Sequence, residues 1–304
     1  MRKWMLAISA AVCAISTPAL AQNADQVFGD RGYALALDEQ CGLFTSAERA
    51  ALEASFLQAR GALLRADYAA SDLDAYQSGL VETARDHGCD GEEAISVAQR
   101  VSDAFLAYQR VLELEFPGSN FTWFANRPDP LQDHEWLIRQ DTGTVQAGLA
   151  RFGDRQAFTV TVPDEGQFAS VILVLRDVDR EPALYDPTVG GLYPAPAAAL
   201  WARWTPPDYA REFVWAAGRL DETEMLALTG ATSGLGYRFP ENALRELSQR
   251  DPRETARIDF LDRRGQRILS HYFEIGDFGA ALAFLRAAPE PAPASGGASS
   301  GSAR

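Results

Sequence analysis

Two cysteines stand where a thiol could be a nucleophile, a metal ligand or one half of a covalent staple. Cys41 lies just ahead of a marked helix start, Thr45-Ser46-Ala47-Glu48, and Cys89 follows His87-Gly88. The third, Cys13, sits inside an N-terminal apolar run, and Val12 before it departs from a lipoprotein box. A nucleophilic thiol needs a base beside it, and the chain has only three histidines, His87, His134 and His271. His87 falls at a predicted helix C-terminus, where the dipole favours a cationic or polar side chain. His134 belongs to Asp133-His134-Glu135, a trio of metal-ligand types. Neighbours on a strand point to opposite faces, so the three cannot converge on one ion, and no metal is expected. His271 shares a strand face with Leu269, Phe273 and Ile275. It reads as a core histidine or as one at the mouth of a β-lined cavity.

Other chemistries are excluded by composition. Lys3 is the only lysine, so once the leader is gone there is no Schiff-base residue, no S-x-x-K pair and no P-loop lysine. There is no HExxH and no CxxC. Gly297-Ala298-Ser299-Ser300-Gly301 matches G-x-S-x-G but lies in a Gly/Ser-rich tail, without the strand and helix that a nucleophile elbow requires. The glycine-rich run Gly230–Gly236 has no helix directly after it to cradle a phosphate. No cofactor is expected. Paired carboxylates remain as a hydrolytic possibility, because their pairing in space cannot be read from a sequence.

The aromatic residues give the positive signal. Trp201-Ala202-Arg203-Trp204-Thr205-Pro206-Pro207-Asp208-Tyr209 places two indoles, a guanidinium and a phenol in a proline-rich loop. Trp, Tyr and Arg anchor protein interfaces, and aromatic faces stack on sugars. Trp201, Arg203, Trp204 and Tyr209 are therefore candidate binding residues; the alternative is a loop that folds back to plug one end of a β-domain. Phe116, Phe121, Trp123 and Phe124 form a second cluster, read as glue between two domains.

The N-terminus has the three parts of an export signal. Arg2 and Lys3 are followed by a short apolar core and by Ala19-Leu20-Ala21, a small-x-small cleavage site. Residues 1–21 read as a cleaved Sec-type signal peptide, giving a periplasmic or secreted protein with no transmembrane anchor after cleavage. Cleavage removes Cys13 and leaves an even pair in an oxidising compartment, so Cys41 and Cys89 are expected to form a disulfide. The formal charge is −14, and losing Arg2 and Lys3 makes it more negative. Such a surface repels nucleic acid and anionic headgroups. The expected partner is an envelope protein or a glycan; the oligomeric state is not legible.

Residues 22–40 read as a lead segment of weak order and 41–117 as a three-helix unit. The capping box Thr45-x-x-Glu48 starts the first helix, which runs to about Ala66. A second runs from near Ser71 to His87, and a third, opened by Asp90-x-x-Glu93, carries the stripe Ala98, Val101, Phe105, Tyr108 and Leu112 to a stop at Pro117. Up-down-up connections bring Cys41 and Cys89 to one end of the bundle. Residues 118–133 read as a linker. The period then changes to two, and 134–287 reads as an antiparallel β sandwich or barrel with two short helices. Candidate strands cover Glu135–Gln140, Val145–Leu149, Phe158–Val162, Ala169–Leu175, Arg211–Arg219, Met225–Thr229, Gly236–Phe239 and the hairpin Ala256–Asp262/Gln266–Ile275. The short helices are Glu241–Gln249 and Phe278–Arg286, and 288–304 is a disordered tail. The fold class is α+β.

The order Leu244-Arg245-Glu246-Leu247, Ile258-Asp259-Phe260 and Gly276-Asp277-Phe278-Gly279-Ala280-Ala281-Leu282 resembles the bacterial invasion-associated locus B family of exported β-rich proteins. The resemblance covers about 45 residues, and that family's cysteines in this region have no counterpart here. It implies a non-catalytic envelope role and lends no catalytic residues. The expected function is thus an exported, non-catalytic envelope protein that binds a protein or envelope partner. The alternatives are an envelope hydrolase working through carboxylates or His271, and a small-ligand binder using the β-domain interior.

Overall fold

A computed structural model describes residues 17–143, 145–163, 168–184, 206–231 and 233–288, with side chains from residue 23 onward. Four helices open the chain: α1 (Thr17–Cys41), α2 (Ser46–Arg65), α3 (Ala70–His87) and α4 (Glu92–Tyr108). The capping box at α2 is formed. Thr45 Oγ1 accepts from the Glu48 N–H at 3.2 Å, and Glu48 Oε2 accepts from the Thr45 N–H at 2.9 Å.

The expected three-helix unit has a fourth member. Residues 22–40 are the body of α1, and its Phe28, Ala34 and Leu37 are buried. The helix packs on α2 and α3 together, so its apolar residues do not make a single stripe. Gly29 and Gly32 let α3 come close. A Cβ at Gly29 would stand 2.8 Å from the Tyr76 hydroxyl, and one at Gly32 would stand 2.9 Å from Leu80 Cδ1.

Eleven strands follow among the described residues, in two antiparallel sheets. The first comprises β1 (Glu113–Pro117), β2 (Thr122–Asn126), β3 (His134–Asp141), β4 (Gln146–Phe152), β5 (Arg155–Val162), β9 (Leu235–Arg238) and β8 (Gly218–Arg219), in that spatial order. The second is β11 (Arg267–Glu274), β10 (Thr255–Leu261), β6 (Ser170–Arg176) and β7 (Arg211–Trp215). The continuously apolar 169–175 run is the interior strand β6, as its composition suggests. Phe158 on β5 and Phe273 on β11 meet at 5.5 Å between ring centroids, so the two sheets share one core.

Three elements differ from the sequence reading. The 118–133 linker and the end of the third helix contain the β1–β2 hairpin. Pro117 ends an edge strand, where a missing N–H costs no ladder bond. Met225–Thr229 belongs to helix α5 (Glu222–Thr229), started by a capping box of Asp221 and Glu224. The β-domain therefore carries three short helices, with α6 (Asn242–Ser248) and α7 (Phe278–Arg286). Helix α5 covers the outer face of the larger sheet, where Trp136 Nε1 donates to the Leu228 carbonyl at 3.0 Å.

Seven strands facing four leave part of the wider sheet's inner surface without a facing strand. Helix α7 takes that place. Its Phe278 and Phe284 pack on Trp123 of β2 and Phe116 of β1, at centroid distances of 4.9 and 5.9 Å. Phe116 and Trp123, expected to glue two domains together, pack on α7 of the β-domain itself, while Phe124 is exposed. Ala54 and Leu57 of α2 join the same core, so the helices and the sandwich are packed as one body.

Candidate functional site

The disulfide is present. Cys41 and Cys89 are bonded with Cα atoms 5.5 Å apart. Helices α1 and α3 both run toward the end of the bundle where α2 begins, so the C-termini of α1 and α3 meet. The expected staple between Cys41 and Cys89 is formed.

His87 and His271 each meet a hydroxyl, whereas His134 Nδ1 is buried without a hydrogen-bond partner among the described residues. His87 Nδ1 and the Tyr33 hydroxyl share a hydrogen bond of 2.6 Å. His134 packs beside Phe152, and its neighbour Glu135 is held by Arg151 at 2.5 Å and by the Asp129 N–H. His271 lies on the core face and meets the Thr142 hydroxyl at 2.5 Å. That hydroxyl donates its one proton to the Val145 carbonyl at 2.8 Å. Burial pushes the His271 pKa below its ordinary value.

That depression has a sign. Between the lowered folded value and 6.5, the unfolded chain binds a proton that the folded chain refuses, so stability falls as pH drops below 6.5. The expected result is that His271→Asn flattens the loss of thermal midpoint between pH 6.5 and pH 5. An unchanged slope would show that His271 is not the group being charged.

Two cavities stand out among the described residues. One, of about 300 Å³, lies between α2, α6 and the start of α7, and is lined by Arg60, Arg176, Arg250 and Asp277. Every one of those charges has an oppositely charged partner. Arg65 chelates Asp277 at 2.7 and 2.8 Å, Arg176 chelates Glu254, and Arg250 holds Glu212 and Glu246. Arg60 pairs with Asp74. The second cavity, of about 430 Å³, is a groove along α1 and α3. Neither opens between the two sheets, and neither contains His271. One two-carboxylate arrangement is Glu212 with Glu246, and another is Glu135 with Asp129. Burial and then the Glu246 charge raise the Glu212 pKa, while both carboxylates accept from Arg250 Nη2.

Of the aromatic binding candidates, Trp201, Arg203 and Trp204 lie outside the described residues. Tyr209 is described. It sits in a single 3-10 turn, Asp208–Ala210, and is 63 % exposed. Its hydroxyl donates to Glu181 Oε2 at 3.3 Å. The turn leads directly into β7, where sequence reasoning missed two further aromatic residues. Phe213 and Trp215 are 53 % and 56 % exposed. They alternate with buried Val214, which joins the core. The missed signal is the alternation Phe213-Val214-Trp215, aromatic on the face that a solvated strand would fill with polar residues.

The strand β7 closes one side of its sheet. Ala210 and Ala216 exchange backbone bonds with the β6 side: Asp177 N–H to the Ala210 carbonyl at 2.8 Å, and Ala216 N–H to the Val171 carbonyl at 3.0 Å. By the antiparallel alternation, Glu212 and Val214 face β6 as well, and Arg211, Phe213 and Trp215 direct their backbone groups away from it. Among the described residues no strand pairs with that outer edge. Phe213 and Trp215 thus present exposed rings on an edge strand, with exposed Tyr209 in the turn just before it, in an α+β protein with an antiparallel two-sheet domain. No family model, curated protein or solved structure matches this chain at a significant level.

Proposed function

We propose that the protein is an exported, non-catalytic component of the bacterial envelope that binds a partner through the aromatic edge of its four-stranded sheet. One observation carries this reading: Phe213 and Trp215 are more than half exposed on an open edge strand beside exposed Tyr209. Exposed aromatic residues grouped on one surface are the usual anchors of an interface. Native edge strands are commonly protected by Lys, Pro or a bulge, and β7, Arg211-Glu212-Phe213-Val214-Trp215, has none of these. The aromatic series begins in the preceding loop with Trp201 and Trp204, the residues first singled out for binding. The export half of the proposal rests on the leader-like residues 1–21, and the Cys41–Cys89 bridge fits an oxidising compartment. The likeness of residues 244–282 to the invasion-associated locus B family points the same way.

The test is a cross-linked pull-down from the envelope fraction of the source cells, scored by mass spectrometry, with Phe213→Ser/Trp215→Ser as the paired variant. A stoichiometric partner recovered with the natural chain and lost by at least ~10-fold with the variant is expected, as for two interface anchors of ~1 kcal/mol or more each. Both side chains are outside the core, so the variant keeps its unfolding midpoint. Equal recovery by both chains would remove β7 from the interface, and no partner above background would end the reading.

A further inference from the structure

We propose that the groove between α1 and α3 is a binding site for an organic cation, an ammonium or guanidinium group. The groove, about 430 Å³, has Gly29 in its floor and Tyr33 and Tyr76 in its walls. It exists because residue 29 has no side chain: a Cβ there would press on the Tyr76 hydroxyl at 2.8 Å. Both rings are held in place. Tyr76 stacks on Phe28 at 6.1 Å and 28°, and Phe28 stacks in turn on Phe56 at 4.7 Å. One face of Tyr76 is therefore supported from below while the side chain stays 49 % exposed. Tyr33 is fixed by its bond to His87 and by the edge-on contact of the two rings at 5.9 Å.

Around these rings stand Asp25 and Asp30 of α1 and Glu93 of α4. Asp25 and Asp30 form no ion pair among the described residues, and Glu93 has only Arg100 at 3.4 Å. The groove contains no lysine or arginine. Glu93 also bears on Tyr33, adding to burial in raising its hydroxyl pKa. Aromatic rings beside the carboxylates of Asp25 and Asp30, which have no ion pair among the described residues, favour a weakly hydrated cation over sodium, because the ring quadrupole attracts a charge that is easily stripped of water. The chain's overall charge of −14 draws cations to the whole surface, so the aromatic rings are what make this groove selective.

The probe is ethylguanidinium, titrated against the purified protein and followed by NMR chemical shifts, with sodium at the same ionic strength as the reference. Saturable shifts in α1 and α3 are expected with ethylguanidinium and not with sodium. Tyr76→Phe should keep the affinity, Tyr76→Leu should weaken it ~5-fold, as a cation–π contact of ~1 kcal/mol implies, and Asp30→Asn should weaken it as well. Shifts that do not saturate, that appear equally with sodium, or that survive Tyr76→Leu unchanged would each overturn the site and leave only bulk screening.

Discussion

Arg65→Ala is expected to destabilise the protein by about 3–5 kcal/mol, the range for removing one partner of a buried ion pair. Arg65 at the end of α2 grips both oxygens of Asp277, the residue that caps α7, at 2.7 and 2.8 Å, and the Asp277 side chain is fully buried. The loss is that large because the carboxylate would stay behind without a cation or water. Burial, opposed in part by Arg65, raises the Asp277 pKa to about 6. The approach is so close that α2 needs a glycine there: a Cβ at Gly61 would fall 2.0 Å from Asp277 Oδ1. Chemical denaturation of the natural chain, Arg65→Ala and the double variant Arg65→Ala/Asp277→Asn gives the answer. The double variant should recover part of the loss, since the amide carries no charge to bury. A loss under 1 kcal/mol for Arg65→Ala would mean that the pair is solvated and is not the clasp between helices and sandwich. The pH dependence has a definite sign too. Between 3.8 and about 6 the folded chain retains a proton that the unfolded chain gives up, so this group's contribution declines as pH rises through that window. It runs opposite to that of His271.

Opening the disulfide is the second large effect. Cys41 and Cys89 are separated by 48 residues, and loop closure in the unfolded chain makes the bond worth about 4 kcal/mol. Cys41→Ser/Cys89→Ser should lower the denaturant midpoint accordingly, and reductant should do the same to the natural chain. The change should be concentrated in the helices. Helix α3 buries only Leu73 and Ala84, so the bond is a main tether holding it to α1. Hydrogen exchange should therefore rise first in α3. If protection there is unchanged, the groove packing and not the disulfide holds the helix.

The staple was legible because it depends on chain direction alone: two helix ends and short connections place the cysteines together whatever the packing. Helices α2, α6 and α7 and the β10–β11 hairpin were legible for a related reason, since each pairs a local start or stop signal with a clear period. Helix α1 was not, because it is wrapped on two sides and interrupted by Gly29 and Gly32, which look like breakers until Tyr76 and Leu80 are seen against them. The β1–β2 hairpin was hidden by Leu112, which extends the stripe of α4 by spacing although the helix stops at Tyr108. Helix α5 was misread from its apolar Met225–Leu228 although Asp221-x-x-Glu224 had announced a helix. The aromatic run 201–209 lies mostly outside the described residues, and the exposed rings of β7 needed the sheet order before their edge position had meaning. The groove on α1 and α3 could not be anticipated, because it is lined by residues that are ordinary in sequence and meaningful only side by side.

Among the described residues helix α7 comes last in chain order, and it joins segments far apart in the sequence. Its cap meets Arg65, which lies 212 positions earlier. Just before it, Ile275 accepts from Trp123 Nε1, and the Glu274 carboxylate holds the backbone of Asn120 and Phe121. A growing chain therefore has no means of closing its shared core until α7 has been made. Helices and hairpins can form early, but they wait as unlatched pieces with Phe116 and Trp123 uncovered. Contacts of such span slow the final step. A protein finished in this order is loose for most of its synthesis and becomes rigid in one late event.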